Sequence, residues 1–180
     1  MKLNDLNKSI LIGLLLGDGY IDPKGRIYVE HSKEQLEYCI YKAKLLHSVI
    51  GGKDINVTLI ERNRTPLKNG KQWKSGNTFI TAKFKKQSKH FIPIRELLYP
   101  KGKKTITKEV LEMLTPLSIA LWWMDDGNLT RRTQKDGTPG PYMLRLYTYL
   151  SFEENALIRQ YFIDTYDIHW NIQTANQEKD

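Results

Sequence analysis

Two apolar stretches of the same design constrain this chain more than any other feature. The first runs Leu11-Ile12-Gly13-Leu14-Leu15-Leu16-Gly17-Asp18-Gly19. The second runs Ile119-Ala120-Leu121-Trp122-Trp123-Met124-Asp125-Asp126-Gly127. Each is long enough for a short buried helix, and each ends in Asp-Gly. The pattern after each stretch also repeats: a strand, a long capped helix, then a strand again. This periodicity predicts an α+β fold of two related α-β-β-α-β-β halves, residues 1–108 and 109–180, around antiparallel sheets. The second copy is incomplete. Matching Ser151 to Ser32 puts residue 180 near position 61–64 of the first half, before any counterpart of its last strand, last helix and basic connector.

The finer pattern fills in the halves. Helical order is expected over residues 8–18. Residues 26–32 alternate as a strand, with Ile27 and Val29 on one face and Arg26, Tyr28 and Glu30 on the other. Ser32 is expected to cap a helix over residues 33–50, with Gln35 in the capping-box place. Its apolar stripe is Leu36, Ile40, Ala43 and Leu46, and Gly51-Gly52 stops it. Residues 54–61 alternate with Ile55, Val57 and Leu59 inward, and residues 63–69 read as a loop. Over residues 78–86 the strand pattern points Ile80, Ala82 and Phe84 to the core and Thr81, Lys83 and Lys85 away from it. Short helices are expected over 91–99 and 108–114, with a basic connector at 101–104 between them. Pro116 opens the second motif helix. A polar loop is expected over 130–141, a strand over 142–150, a helix capped by Ser151 with Glu154 as its partner, and a strand from 168.

The charge is as uneven as the pattern is regular. Lys and Arg exceed Asp and Glu by 28 to 20 overall, yet residues 81–108 alone hold nine cations against one anion. Residues 1–80 net +5 and residues 109–180 net −5. Such a block exceeds what solubility needs and points to a polyanion partner. The single cysteine, Cys39, rules out an internal disulfide and a cysteine-based zinc site. The four histidines show no ligand spacing. The longest apolar run is too short to span a membrane, and Asp5 and the absence of a small-x-small site argue against a signal peptide. No membrane partner and a reducing, intracellular setting are expected.

Each motif puts a carboxylate at a helix C-terminus, where partial negative charge disfavours it unless a cation joins it. If the two helices pack side by side, Asp18 and Asp126 converge, and Gly13 and Gly17 keep the first helix thin enough for close approach. Two carboxylates with helix-end carbonyls make an all-oxygen site that suits Mg²⁺. A divalent cation beside a polyanion suggests phosphodiester chemistry.

These residues resemble the LAGLIDADG homing endonucleases, of the single-chain, two-motif kind encoded by mobile introns of the omega type. The likeness runs through Gly13-Leu14-Leu15-Leu16-Gly17-Asp18-Gly19-Tyr20-Ile21 and, more closely, through residues 114–127. It extends through Lys103-Lys104-Thr105-Ile106 and Ser151-Phe152-Glu153-Glu154. It implies two halves meeting at the motif helices, with antiparallel sheets forming a saddle over a long, asymmetric double-stranded DNA site. It implies Asp18 and Asp126 as ligands of Mg²⁺ or Mn²⁺, with carbonyls of Gly17 and Asp125 assisting, and Lys104 as a catalytic lysine. A monomer, with intron RNA as a second partner, follows from the same likeness, as does a bacterial or phage-host cytoplasm or an organelle matrix.

On the expected saddle, Arg26, Tyr28, Asn56, Thr58, Thr81, Lys83 and Lys85 would face base edges. Arg62, Arg64, Lys101, Lys103, Arg131 and Arg132 lie where phosphate contact is expected. Arg145 joins them as a candidate DNA contact. Tyr147 and Trp170 read as packing residues. Two departures count against cleavage activity: the second half lacks its last elements, with the second basic residue near the metals, and its net charge is negative. A non-cleaving nucleic-acid binder, such as an intron-splicing maturase or a DNA-binding regulator, is the alternative reading.

Overall fold

The computed structural model describes residues 3–63 and 78–173. The first motif forms helix α1 (Asp5–Leu16), which Asn4 caps by accepting the Asn7 N–H at 2.8 Å. Residues 9–16 are all buried, as an all-round apolar helix must be. Strands β1 (Tyr20–Ile21) and β2 (Arg26–Ser32) follow, then helix α2 (Leu36–Ile50), β3 (Thr58–Asn63) and β4 (Thr78–Gln87). These strands form one antiparallel sheet in the order β1-β2-β4-β3. Helix α2 packs on β2 and β4. Helices α3 (Ile92–Leu98) and α4 (Lys108–Glu112) lead to the second motif helix, α5 (Pro116–Asp126). Thr115 and Ser118 cap α5 reciprocally, with Pro116 at its first position. Strands β5 (Gly127–Thr133) and β6 (Pro139–Leu146) form a separate two-stranded sheet, and α6 (Phe152–Tyr166) follows with the Ser151–Glu154 capping box.

The alternation of β2 is borne out: Ile27 and Val29 are buried, while Arg26, Tyr28 and Glu30 lie on the opposite face. Several expectations are corrected. Residues 33–35 form a 3₁₀ turn rather than the first turn of α2, and Ser32, still in the strand, makes no side-chain cap. Strand structure starts at Thr58, so Asn56 lies before it. Leu59 and Ile80 are 47% and 37% exposed, Leu59 on the edge strand β3 and Ile80 beyond the buried Ala82 on β4. The loop expected over 63–69 lies outside the described residues, apart from Asn63 at the end of β3.

The second half departs further. Residues 130–133 and 139–141 are strand, not loop. The hairpin closes over a short polar turn in which Gln134 N–H donates to the Thr138 carbonyl at 2.8 Å, and Gly137 takes a φ of +85°. A polar strand flanking a polar turn carries no apolar alternation to announce it. Strand β6 ends at Leu146, four residues short of expectation. Residues 168–173 form no strand. Asp167 turns left-handed at φ +53°, and the chain folds back so that Trp170 packs on Phe162 at 4.7 Å between ring centroids. The Arg159 guanidinium holds the Trp170 carbonyl there at 2.9 Å. Among the described residues, the second half is therefore α-β-β-α.

Candidate metal centre and nucleic-acid face

Helices α1 and α5 run side by side in the same direction. At their starts, Ser9 Oγ meets Thr115 Oγ1 at 2.9 Å and Ser118 Oγ at 3.0 Å, a buried hydroxyl clasp. At their ends, the Asp18 N–H donates to Asp125 Oδ2 at 2.9 Å. Between them glycine sets the spacing. A Cβ on Gly13 would lie 2.6 Å from the Ser118 Cα, and one on Gly17 would run into the Asp125 carboxylate. Ser9, Gly13 and Gly17 thus form a small-residue stripe at four-residue spacing that lets the second helix close in. The pair brings Asp18 and Asp126 to adjoining helix ends.

The two aspartates differ in their company. His31 beside the Asp18 carboxylate holds its pKa below the usual range, against the opposing effect of burial, with help from Lys42 and Lys104. Asp126 is pushed up to about 6 by burial, and by the charges of Asp18 and Asp125. The Trp122 indole N–H, which donates to Asp126 Oδ2 at 3.1 Å, and Lys104 only partly offset this. Burial lowers the pKa of Lys104, the three aspartates oppose that, and its Nζ donates to the carbonyls of Leu16 at 3.2 Å and Gly17 at 3.1 Å. A half-buried Asp126 of raised pKa beside an ionised Asp18 that is open to solvent fits a hard divalent cation. The Gly17 carbonyl, an expected ligand, is here held by the Lys104 ammonium.

For Asp125 the expected ligand is the backbone carbonyl, and the side chain is engaged elsewhere. Its side chain is fully buried, and both carboxylate oxygens accept from Lys42 Nζ, at 2.5 and 2.6 Å. Lys42 also lies 3.1 Å from His31 Nε2 and 4.5 Å from the centre of the Tyr38 ring. His31 Nδ1 is 3.3 Å from Asp18 Oδ2. Ligand atoms of Asp18, His31 and Asp125 all fall within 4.8 Å of one another. His31 and Lys42 escaped the reading of the sequence. The signal was there: alternation puts His31 on the apolar face of β2, and Lys42 interrupts the apolar stripe of α2. A rule of local ligand spacing does not see a histidine and an aspartate joined by the fold.

The opposite face of the four-stranded sheet is polar. Register places Arg26 beside Gln87, Tyr28 beside Lys85, Glu30 beside Lys83, and Lys83 beside Thr58, so these side chains share one face. Arg26 donates to the Tyr28 hydroxyl at 3.0 Å. Arg62 clamps Glu30 with two bonds, at 3.0 and 2.7 Å, and Thr81 donates to the same carboxylate at 2.7 Å. That bond covers Thr81, which is buried rather than available to a ligand. Asn56, Lys85, Lys101 and Lys103 are exposed. Arg131 and Arg132 are exposed on β5, not on a loop, and Arg131 stacks over Tyr142 at 4.9 Å. Arg145 lies on β6 opposite Asn128. Arg64 lies outside the described residues. No described helix is long and apolar enough to cross a membrane.

The family model of the LAGLIDADG DNA endonuclease family matches residues 8–179. A Mycolicibacterium flavescens protein named Protein RecA is 27% identical over 146 residues, covering 74% of this chain and 28% of that protein. Its Mycobacterium gastri namesake is 29% identical over 146 residues, covering 73% and 29%. The chain thus spans less than a third of the length of these two curated relatives. The solved structure of the homing endonuclease I-WcaI bound to its DNA recognition sequence superposes with a TM-score of 0.73 at 20% identity, over 98% of this chain and 74% of that one. That likeness shows a shared fold.

Proposed function

The chain belongs to the LAGLIDADG DNA endonuclease family, and on that premise we propose that it is a site-specific endonuclease of double-stranded DNA, hydrolysing phosphodiester bonds with Mg²⁺ or Mn²⁺ held by Asp18 and Asp126. The observation that carries this reading is the convergence of the two motif ends, where burial, with the charges of Asp18 and Asp125, drives the Asp126 pKa to about 6. A divalent cation held there would supply Lewis-acid polarisation of the phosphate and would acidify water. The chain's own residues do the rest. Asp18 presents a carboxylate kept ionised by its neighbours. Lys104, anchored on the α1 carbonyls, keeps an ammonium beside the developing charge. Lys101 and Lys103 supply phosphate contact, Arg26 and Tyr28 base-edge contact, and Lys83 and Lys85, on the same face as Arg26 and Tyr28, bring charge that serves phosphate as well as base edges. In this reading the two motif halves divide near residue 108, and the protein acts as a monomer in a reducing intracellular compartment, in keeping with a single, unpaired cysteine.

A second reading, a non-cleaving binder of DNA or intron RNA such as a maturase or regulator, is favoured by the smaller second sheet, which among the described residues has two strands where the first has four. Selection from a randomised duplex library, followed by Mg²⁺ addition to the retained sequences, separates the readings. Cutting by the parent but not by Asp18→Asn or Asp126→Asn supports the endonuclease. Sequence-selective retention without cutting supports the binder, and no selective retention overturns both.

A further inference from the structure

Asp18, His31 and Asp125 look at first like a three-ligand metal site. Lys42 argues otherwise. Its ammonium has three protons, and three acceptors surround it: both Asp125 oxygens and His31 Nε2. The His31 side chain has no accessible surface. With Nε2 accepting from Lys42, a neutral His31 carries its proton on Nδ1, and that proton faces Asp18 Oδ2 at 3.3 Å. The contact is long for a hydrogen bond, and Nδ1 has no other partner. Such bonds tighten when the site is loaded. On the other side, the Asp125 carboxylate that Lys42 neutralises accepts the Asp18 backbone N–H. Lys42 therefore reaches Asp18 by two routes, one ending on its carboxylate and one on its main chain.

We propose that Lys42, His31 and Asp125 are positioning residues, a buried relay in which Lys42 fixes the Nδ1–H tautomer of His31 and the inward rotamer of Asp125 so that together they aim Asp18 at its cation. The relay crosses the two halves. His31 and Lys42 come from β2 and α2, whereas Asp125 comes from the second motif. Its counterpart in the first motif is Gly17, and a Cβ there would occupy the space of the Asp125 carboxylate. The glycine in one motif and the additional acid in the other are thus two halves of one device. Asp125 serves Asp18, and its side chain is not a metal ligand. This inference rests on the endonuclease reading for what Asp18 holds, but the relay itself can be observed without any cutting.

The first experiment is ¹⁵N NMR of the His31 ring in the full chain, with no metal or DNA. The expected signature is a pyrrole-type Nδ1 and a pyridine-type Nε2. Lys42→Met alone leaves Asp125 buried without a cation and is liable to unfold. The variant used is therefore Lys42→Met with Asp125→Asn, which removes both charges. In it, His31 should lose the fixed Nδ1–H tautomer. A parent ring protonated on Nε2, or a double variant with an unchanged Nδ1–H pattern, overturns the relay. The second experiment measures Mn²⁺ affinity by electron paramagnetic resonance. His31→Ala should weaken it about tenfold, in line with the loss of an outer partner of a ligand. His31→Asn, which keeps a donor near the Nδ1 position, should restore most of it. Equal affinity in His31→Ala and parent sinks the positioning role. Failure of the parent to bind Mn²⁺ at all sinks the endonuclease reading instead and leaves the tautomer to decide this one.

Discussion

Asp18 and Asp126 hold matching places in the two motifs but meet different neighbours, and the difference is measurable. The folded protein holds the Asp126 proton up to about pH 6, against 3.8 for an ordinary aspartate. Folding therefore favours the protonated form. Asp126 costs no stability below about pH 4 and a growing amount as pH rises through about 6. Asp126→Asn should raise stability at pH 8 in metal-free buffer by about 1 kcal/mol, after allowance for solvent screening of a half-exposed group. Urea midpoints at pH 8 and pH 4 check this: a gain at both pH values, or at neither, contradicts it. The same substitution should abolish cutting while leaving DNA retention intact. Asp18 and Asp126 were legible because a repeated Asp-Gly at the end of an apolar helix is hard to explain as two independent turns. His31 and Lys42 were legible only as violations, polar groups on faces that alternation and helical period assign to the core. What those violations served was not, since Lys42 and Asp125 meet across 83 residues of chain.

At the scale of elements, the interface of α1 and α5 depends on the absence of side chains. Gly13→Ala places a methyl against the Ser118 backbone, which has nowhere to move within a capped helix turn. The expected loss is about 1–3 kcal/mol, as for other overpacked sites. Thermal denaturation measures it, and an unchanged midpoint would mean that the helices can separate without cost. The β2–β4 face makes a second prediction. Neutralising Lys83 and Lys85 to Gln should flatten the dependence of DNA affinity on salt by about 0.9 for each phosphate they no longer neutralise. Altered discrimination with an unchanged slope would make them base readers. The face itself was legible because β2 alternates cleanly. The end of β5 and the start of β6 read as a loop in the sequence because Thr130-Arg131-Arg132-Thr133 offers no apolar partner to alternate with. Strand pairing there is set by the turn, where Asp136 Oδ1 gathers the Thr138 N–H and hydroxyl at 2.9 and 2.6 Å.

The whole molecule is lopsided. In the first half, α2 covers the inner face of the sheet, and Ile27, Val29, Ala82 and Phe84 are buried beneath it. In the second, Leu129, Tyr142 and Leu144 share one face of the β5–β6 hairpin and remain 59%, 65% and 63% exposed. A two-stranded sheet without a covered apolar face is marginal in water. Amides of residues 139–146 should therefore exchange through local opening, well before those of residues 26–32 and 78–87, which open with the global unfolding of the core. The same imbalance reaches the chemistry. Asp18 is supported by His31, Lys42 and Lys104, whereas for Asp126 the charge of Lys104 only partly offsets burial. The two strands of a duplex would then meet unequal centres, and supercoiled DNA carrying the target should accumulate as nicked circles before linear product appears. Hydrogen exchange and the nicking time course together decide the matter. Uniform protection in both halves, with linear DNA formed as fast as nicked, would mean that the hairpin is held as firmly as the larger sheet and that one lysine suffices for both centres.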